Sequence, residues 1–101
     1  MKVKLLTKSV RKCIPGIGDT SEEVDPIVSV KFFYPDFSWT WYGIEFDGED
    51  LFFGLVDGFD QELGYFRLSE LEANRGKLGC PVERDRYFVP RPLSQVKSET
   101  S

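Results

Sequence analysis

The stretch of sequence that decides the fold is WTWYGIEFDGEDLFFGLV, residues 39–56. Two runs rich in aromatic and β-branched residues flank the dipeptide Asp47-Gly48, which is a strong short-range signal for a β-hairpin. We therefore predict two neighbouring antiparallel strands, the first over residues 39–46 and the second over residues 51–56.

Further strands are predicted on both sides of this hairpin. Residues 27–34 alternate apolar and polar side chains, and residues 64–68 form a shorter run rich in aromatic residues. A brief extended piece is expected over residues 83–88, before two prolines that limit any further strand. Consecutive short strands joined by tight turns favour an antiparallel meander of about four strands.

Three helical segments are predicted to pack on this sheet. Apolar residues at helical spacing over residues 6–14 predict a short helix with Thr7 as its N-cap and Cys13 in the core. The motif SELE at residues 69–72 matches a capping box, so a second helix is expected to begin there. A last helical turn is expected over residues 93–96.

These elements together predict an α+β class and a single domain. The chain has 101 residues, of which 41% are apolar, and this size is typical of one globular unit. We assign the domain to residues 1–96 and expect residues 97–101 to form a frayed polar tail. No apolar run is long enough to span a membrane, and two cysteines are too few for the disulfide framework of a small secreted protein. We therefore expect a soluble cytoplasmic protein.

The two tryptophans of the hairpin point to one face of the predicted sheet. Residues two apart in a strand share a face, so Trp39, Trp41 and Glu45 should lie opposite Tyr42 and Phe46, which are placed on the core side. The strand over residues 51–56 is apolar on both faces, so its second face must be covered or must bind a partner. If it is covered, we expect the first helix on one face and the second helix, with residues 86–96, on the other.

The charges are distributed unevenly along the chain. Residues 1–18 carry five cations, Lys2 and Lys4 among them, and no anions, whereas residues 19–72 carry fourteen carboxylates and only two cations. An acidic segment of this kind would attract a basic partner. Carboxylates in adjacent turns could also bind a hard cation, although solvated turn residues are the simpler interpretation. The carboxylates in these adjacent turns include Asp57, Asp60 and Glu62.

The residue types present argue against catalysis. The chain contains no histidine, which removes the commonest general base and the commonest transition-metal ligand. Cys13 and Cys80 lack the paired spacing of a zinc site, and Gly16 and Gly18 lack the context of a phosphate-binding loop. We therefore expect a protein that is not an enzyme and has no cofactor or metal; a carboxylate or tyrosine mechanism is the alternative.

An ordered series of aromatic motifs resembles a known bacterial family. The motifs are LLTK at 5–8, VKFF at 30–33, WTWY at 39–42, LFFG at 51–54, ELGYF at 62–66, LSEL at 68–71, ERD at 83–85 and YF at 87–88. Together, from Lys4 to Val96, they are similar to the family catalogued as domain of unknown function 2958. The resemblance implies one intact domain in a small protein of plasmids, phages or integrative elements, and it implies no established activity and no catalytic residues.

These observations lead us to expect an accessory protein of a mobile element that binds another protein through an aromatic sheet face and acidic turns. The candidate partner-binding residues are Trp39, Trp41, Phe33, Tyr65, Glu45, Asp47, Glu49 and Asp50. The expected partner is a basic protein that itself binds nucleic acid, and one version of this hypothesis has the carboxylates mimic DNA phosphates. A homodimer that buries the tryptophan face would satisfy the apolar pattern equally well.

The alternative function is direct binding of nucleic acid. Bases would stack on the aromatic face while cations from the two ends of the chain neutralise phosphates. The candidate nucleic-acid contacts are Lys8, Arg11, Lys12, Arg84 and Arg86.

Overall fold

A five-stranded antiparallel sheet is the centre of the fold, in the strand order β5-β4-β3-β2-β6. The computed structural model describes residues 5–100. The strands are β1 (Ile27–Val28), β2 (Val30–Tyr34), β3 (Phe37–Phe46), β4 (Leu51–Asp57), β5 (Gln61–Arg67), β6 (Glu83–Arg84) and β7 (Arg91–Pro92). The helices are α1 (Lys8–Lys12), α2 (Leu68–Ala73) and α3 (Leu93–Thr100). Strands β1 and β7 form a separate antiparallel pair, and the whole confirms the predicted α+β class.

A β-bulge changes which face the end of β3 presents. The register between β3 and β4 shifts between Gly43 and Glu45, so that the strict alternation of side chains breaks there. Phe46 was expected on the face opposite Trp41, and this prediction is wrong. The ring of Phe46 instead stacks on Phe52 at a centroid distance of 4.3 Å, in the same buried cluster as Trp41.

Both faces of the sheet are covered by other elements. The cluster on the first face joins the N-terminal segment and α2 to the sheet, and the cluster on the second face joins α3 and β1 to it. We expected α2 on the same face as residues 86–96, but α2 shares its face with the N-terminal segment. The first cluster contains Leu5, Leu6, Ile14, Val30, Phe32, Trp41, Phe46, Phe52, Phe66, Leu68, Leu71 and Val82. The second contains Val28, Tyr42, Ile44, Leu55, Leu93 and Val96.

Helix α1 begins as predicted, but fewer of its residues are buried than predicted. The Val10 N–H donates to Oγ1 of Thr7 at 3.3 Å, which confirms Thr7 as the N-cap. The helix has only five residues, and Cys13 is its C-cap. The prediction that Cys13 lies in the core is wrong, since its side chain is exposed and contacts the Ser9 carbonyl.

Helix α2 is capped from another part of the chain and not by its own capping box. It begins at Leu68, one residue earlier than predicted, and its N-cap residue makes no side-chain hydrogen bond. The carboxylate of Asp50, in the β3–β4 turn, accepts hydrogen bonds from the Ser69 N–H at 2.8 Å and the Ser69 hydroxyl at 2.9 Å. The hairpin turn therefore fixes the start of α2.

The C-terminal residues form a helix where a frayed tail was expected. Helix α3 continues through residues 97–100, and Arg91 donates from Nε and Nη2 to the Glu99 carboxylate at 3.0 and 2.6 Å. The side chains of Gln61 and Thr100 are also hydrogen-bonded, which joins the end of α3 to β5. Lys2, Lys4 and Ser101 lie outside the described residues. None of the helices in residues 5–100 has the length and apolar composition needed to cross a membrane.

Candidate binding groove

Five aromatic rings form a continuous row on the first face of the sheet, which we call the aromatic row. In spatial order they are Phe59, Trp39, Trp41, Tyr34 and Phe37, with successive centroid distances of 5.5, 6.1, 5.3 and 5.9 Å. Three of the four ring contacts are edge-to-face, the arrangement that the ring quadrupole favours. The row lies at the end of the sheet where β2 turns into β3 and β4 turns into β5.

The aromatic row and the loop after α2 enclose a groove of about 460 Å³, which we call the aromatic groove. Residues 74–77 form its opposite wall. Trp41 is the floor, since only 6% of its surface is exposed, so it cannot be the surface anchor that the sequence suggested. Phe59 is 90% exposed and Phe37 is 40% exposed, so these two rings and the half-buried Trp39 are available for contact.

The loop wall of the groove is held in place by Asp36, in the β2–β3 turn. Its Oδ2 accepts hydrogen bonds from the N–H groups of Leu78 at 2.6 Å and Cys80 at 3.2 Å. Burial alone would raise the pKa of Asp36, but these backbone hydrogen bonds outweigh it and hold the pKa below its ordinary value. A Cβ at Gly76 would fall 1.6 Å from Oδ1 of Asp36, so only glycine lets the loop approach this closely.

The lining of the aromatic groove carries positive charge. Arg75 and Lys77 line it, and no carboxylate is among its lining residues. The guanidinium of Arg75 donates to the backbone carbonyls of Glu72 and Asn74 at 3.0 and 2.8 Å, which orients it at the end of α2. Sequence reasoning missed both cations because the predicted second helix, expected to end near Gly76, places Arg75 in its last turn and Lys77 just after it. The signal that could have found them is the NRGKLG segment, in which cations alternate with glycines.

Two of the predicted aromatic contacts lie away from the aromatic row. Phe33 pairs with Thr40 in the β2–β3 ladder and alternates with Phe32, which faces the first cluster. It therefore lies on the second face. Tyr65 is also on the second face, where its ring is 5.2 Å from that of Phe53. The structure brings together only Trp39 and Trp41 of the four aromatic candidates.

The predicted acidic contacts are engaged inside the fold. Glu45 is 5% exposed and accepts hydrogen bonds from the Gly18 N–H, the Thr20 N–H and the Thr20 hydroxyl at 2.9, 2.9 and 2.5 Å. Burial alone would raise the pKa of Glu45, but the bonds from Thr20 and Gly18 outweigh it and lower the pKa. Glu45 therefore anchors the loop after α1 and is not available to a partner.

The remaining acidic candidates form the β3–β4 turn, which lies far from the aromatic row. Oδ1 of Asp47 accepts hydrogen bonds from three successive backbone N–H groups at 2.8–3.0 Å, and Asp50 caps α2. Glu49 is exposed, in a cavity that Lys8 and Arg11 also line. Asp47 follows Trp39 by eight positions along β3 and its turn, a distance of about 26 Å. The aromatic face and the acidic turn are therefore not one surface.

The basic candidates do not join the aromatic groove either. Arg11 donates to the Gly48 carbonyl at 2.9 Å and lies over the Phe46 ring. Its positive charge therefore lies at the acidic β3–β4 turn. Arg84 donates to the Leu5 carbonyl, and it lines with Arg86 a separate cavity beside α1. Lys8 and Lys12 are exposed on α1. The structure therefore places Lys8 and Arg11 at one cavity beside α1, and Arg84 and Arg86 at another.

The turn carboxylates do not form a cation site in the described part of the chain. Within residues 5–100, no group of three histidine, cysteine, aspartate or glutamate side chains is arranged so that it could hold a metal ion. Asp57 ends β4, Asp60 lies in the β4–β5 turn and Glu62 lies in β5.

Comparison with known proteins gives one match. A family model described as protein of unknown function (DUF2958) matches residues 5–99. This match confirms the resemblance that the aromatic motifs indicated. Neither the curated proteins nor the solved structures contain a match to the chain.

Proposed function

The chain belongs to the DUF2958 family, and we propose that it is a binding module that takes a segment of another protein into the aromatic groove. The observation that carries this proposal is the exposure of Phe59 and Phe37 at the two ends of a row of packed rings. Each large aromatic side chain can bury about 150–250 Å² on contact. Aromatic residues in such pockets are enriched among the residues that dominate binding energy.

The groove selects for an apolar side chain flanked by acidic residues. Its volume of about 460 Å³ accommodates one or two large side chains. Arg75 and Lys77 on the loop wall would attract a carboxylate beside that anchor. This chemistry differs from the basic partner and the DNA mimicry considered from the sequence, because Glu45 is buried and the acidic turn lies at the opposite end of β3 from the aromatic row.

We propose that the protein acts by binding and not by catalysis. The chain has no histidine, and the carboxylates with lowered pKa are engaged with backbone or side-chain donors of the fold. The setting implied by the family resemblance, an accessory protein of a mobile element, supports a role in engaging a host protein. The free thiols of Cys13 and Cys80 fit a reducing compartment.

The two tryptophans provide a direct test, because both of the chain's indole rings line the groove. A phage-displayed random peptide library would be panned on the protein, and the selected peptides titrated by tryptophan fluorescence. We expect selected sequences with an aromatic or large aliphatic anchor next to Asp or Glu. Phe59→Ala should weaken their binding by about tenfold, and Lys77→Glu should weaken the binding of acidic peptides by a similar factor.

Matched substitutions control for general surface effects. Tyr87 is 86% exposed, close to the 90% of Phe59, and lies outside the groove lining, so Tyr87→Ala should leave peptide binding unchanged. Lys97→Glu, on α3, makes the same charge change as Lys77→Glu away from the groove. Peptides that bind Phe59→Ala as tightly as the unsubstituted protein would contradict the proposed site.

Single-stranded nucleic acid is the second candidate ligand. The observation that favours it is a lining of five aromatic rings and two cations without a carboxylate. Titration with a short oligothymidylate would quench the tryptophans, and the affinity would fall steeply as salt increases. If the oligonucleotide binds in this manner and no peptide is selected, the groove is a nucleic-acid site.

A further inference from the structure

Strand β5 forms an open edge of the sheet. It pairs with β4 on one side, and no strand of residues 5–100 pairs with it on the other. Natural proteins usually protect such edges with charges, prolines or bulges. In β5 the charged residues Glu62 and Arg67 lie near the ends, whereas the central residues Leu63, Gly64 and Tyr65 are uncharged. The middle of this edge is therefore open to another strand.

The central residues also leave apolar surface exposed. Leu63 is 48% exposed and Tyr65 is 63% exposed, both on the second face of the sheet. The Tyr65 ring contacts that of Phe53 on the neighbouring strand, which extends this apolar surface inward. Leu63 and Tyr65 also line a cavity with Ile17 and Val24, two further exposed apolar side chains. Exposed apolar surface beside an open strand edge is characteristic of a site for strand addition.

The glycine at the centre of β5 has no explanation inside the described residues. Gly54, its partner in β4, is required because a Cβ there would lie 1.8 Å from the Tyr42 carbonyl oxygen. At Gly64 a Cβ would meet nothing within 4 Å, and φ is not positive. Glycine weakens a strand interior, and it often marks a close approach of another backbone.

We propose that β5 pairs antiparallel with β5 of a second copy of this chain, about a twofold axis at Gly64. Gly64 is the midpoint of the seven residues of β5, so this register uses the whole strand. On the second face it sets Leu63 opposite Tyr65 of the second copy, and Gln61 opposite Arg67. On this face apolar residues thus meet apolar residues, and polar residues meet polar residues.

The same register avoids repulsion between like charges. Glu62 lies opposite Phe66, and Arg67 lies opposite Gln61, so neither charged residue faces its own copy. With glycine at the axis, no side chain has to meet its own symmetry mate. Because the contact is one strand pair with its adjacent side chains, we expect a dissociation constant in the micromolar range for the dimer.

Sedimentation equilibrium over a range of concentrations tests the dimer. The weight-average mass should rise from 11.6 kDa towards twice that value as concentration increases. Leu63→Lys places a charge against Tyr65 of the second copy and should raise the dissociation constant about tenfold or more. Val89→Lys makes the same change at a side chain that is 67% exposed and outside β5, and it should leave the constant unchanged. If Leu63→Lys does not fold by circular dichroism, Tyr65→Lys takes its place.

Cysteine crosslinking tests the register. In a Cys13→Ser, Cys80→Ser background, Gly64→Cys should form a disulfide-linked dimer on mild oxidation, because the two thiols meet at the axis. Glu62→Cys is the matched control, since the two copies of residue 62 would be offset by four residues, about 13 Å, along the strands. A chain that stays monomeric throughout, or a Glu62→Cys that crosslinks as fast as Gly64→Cys, would overturn the proposal. A dimer that survives Leu63→Lys but is lost in Phe59→Ala would overturn it too, and would assign the contact to the aromatic groove.

Discussion

The indole ring of Trp39 lies directly on Gly58, where a Cβ atom would come within 2.7 Å of ring atoms Cη2 and Cζ2. Gly58 belongs to the β4–β5 turn, which also carries Phe59, whose ring meets that of Trp39 edge-to-face at a centroid distance of 5.5 Å. The shape of the aromatic groove therefore depends on a glycine that the sequence presents only as a turn residue.

Gly58→Ala is expected to displace Trp39 and disturb the groove. The added methyl group should shift the tryptophan emission, weaken peptide binding about tenfold and lower the free energy of unfolding by about 1–3 kcal/mol. Fluorescence spectra, peptide titration and urea unfolding measure these three effects. Gly64→Ala is the control, because a Cβ there meets nothing within 4 Å, and it should leave emission unchanged. Equal emission spectra for Gly58→Ala and the unsubstituted protein would contradict the packing described.

Glu45 should make stability depend on pH in the acid range. Its pKa in the folded protein is lower than the ordinary value of 4.5, so its hydrogen bonds stabilise the fold above that value. This contribution is lost as the pH falls through the lowered pKa. Glu45→Gln should reduce the free energy of unfolding by about 1–3 kcal/mol at neutral pH, because the buried amide cannot accept all three hydrogen bonds.

Urea unfolding at neutral pH and near pH 3 checks this expectation. The difference between Glu45→Gln and the unsubstituted protein should shrink at the lower pH, since the carboxylate of the unfolded chain is then protonated and the stabilisation by the ionised form decreases as the pH falls towards the lowered pKa of the folded protein. Glu22→Gln, at an exposed residue of the same loop, should alter stability at neither pH. A difference that stays constant with pH would show that the charge of Glu45 is not what matters.

Asp50 should matter more than Ser69 for the stability of α2. Asp50→Ala removes acceptors for both the N–H and the hydroxyl of Ser69, at a cost of about 1 kcal/mol. Ser69→Ala leaves the N–H bond intact and should cost less, about 0.5–1 kcal/mol. Thermal unfolding of the two variants and of Glu72→Ala distinguishes this arrangement from a capping box. Under a capping box, Ser69→Ala and Glu72→Ala would be the costly changes, and Asp50→Ala would be mild.

The C-terminal residues should contribute to stability. Removing residues 97–101 eliminates the Arg91–Glu99 ion pair and the Gln61–Thr100 hydrogen bond, which should lower the free energy of unfolding by about 1 kcal/mol. Glu99→Gln isolates the ion pair and should have a smaller effect, whereas Lys97→Ala should have almost none. Chemical unfolding of the shortened chain measures the difference. An unchanged midpoint would mean that this segment does behave as a frayed tail.

Local signals predicted most of the secondary structure. The Asp47-Gly48 turn, the alternating strand over residues 27–34 and the Thr7 N-cap each depend on residues within one turn or strand, and the structure contains all three. The boundaries differ by a few residues, and the first predicted strand is divided at Ser29 into β1 and β2. Such features follow from backbone preferences and side-chain periodicity, which act over a few residues.

Periodicity alone did not predict which face of the sheet each side chain occupies. A period of two placed Trp41 and Phe46 on opposite faces, but the bulge between Gly43 and Glu45 brings both into one cluster. An extra residue in one strand becomes visible only through the pairing with its neighbour, so the sequence of β3 alone does not show it. Trp41 lies in the core for a different reason, because the N-terminal segment and α2 cover the face of the sheet that it occupies.

Sequence by itself determined that this protein is one α+β domain built on an aromatic hairpin, because strand patterns and turn dipeptides are local. Only the tertiary structure decided which aromatic side chains remain exposed and which charges accompany them. Asp36 and Gly76 bring the loop with Arg75 and Lys77 over the aromatic row from about forty residues away in the chain. Proximity of this kind arises from packing between segments that are distant in the chain, and neither composition nor residue spacing predicts it.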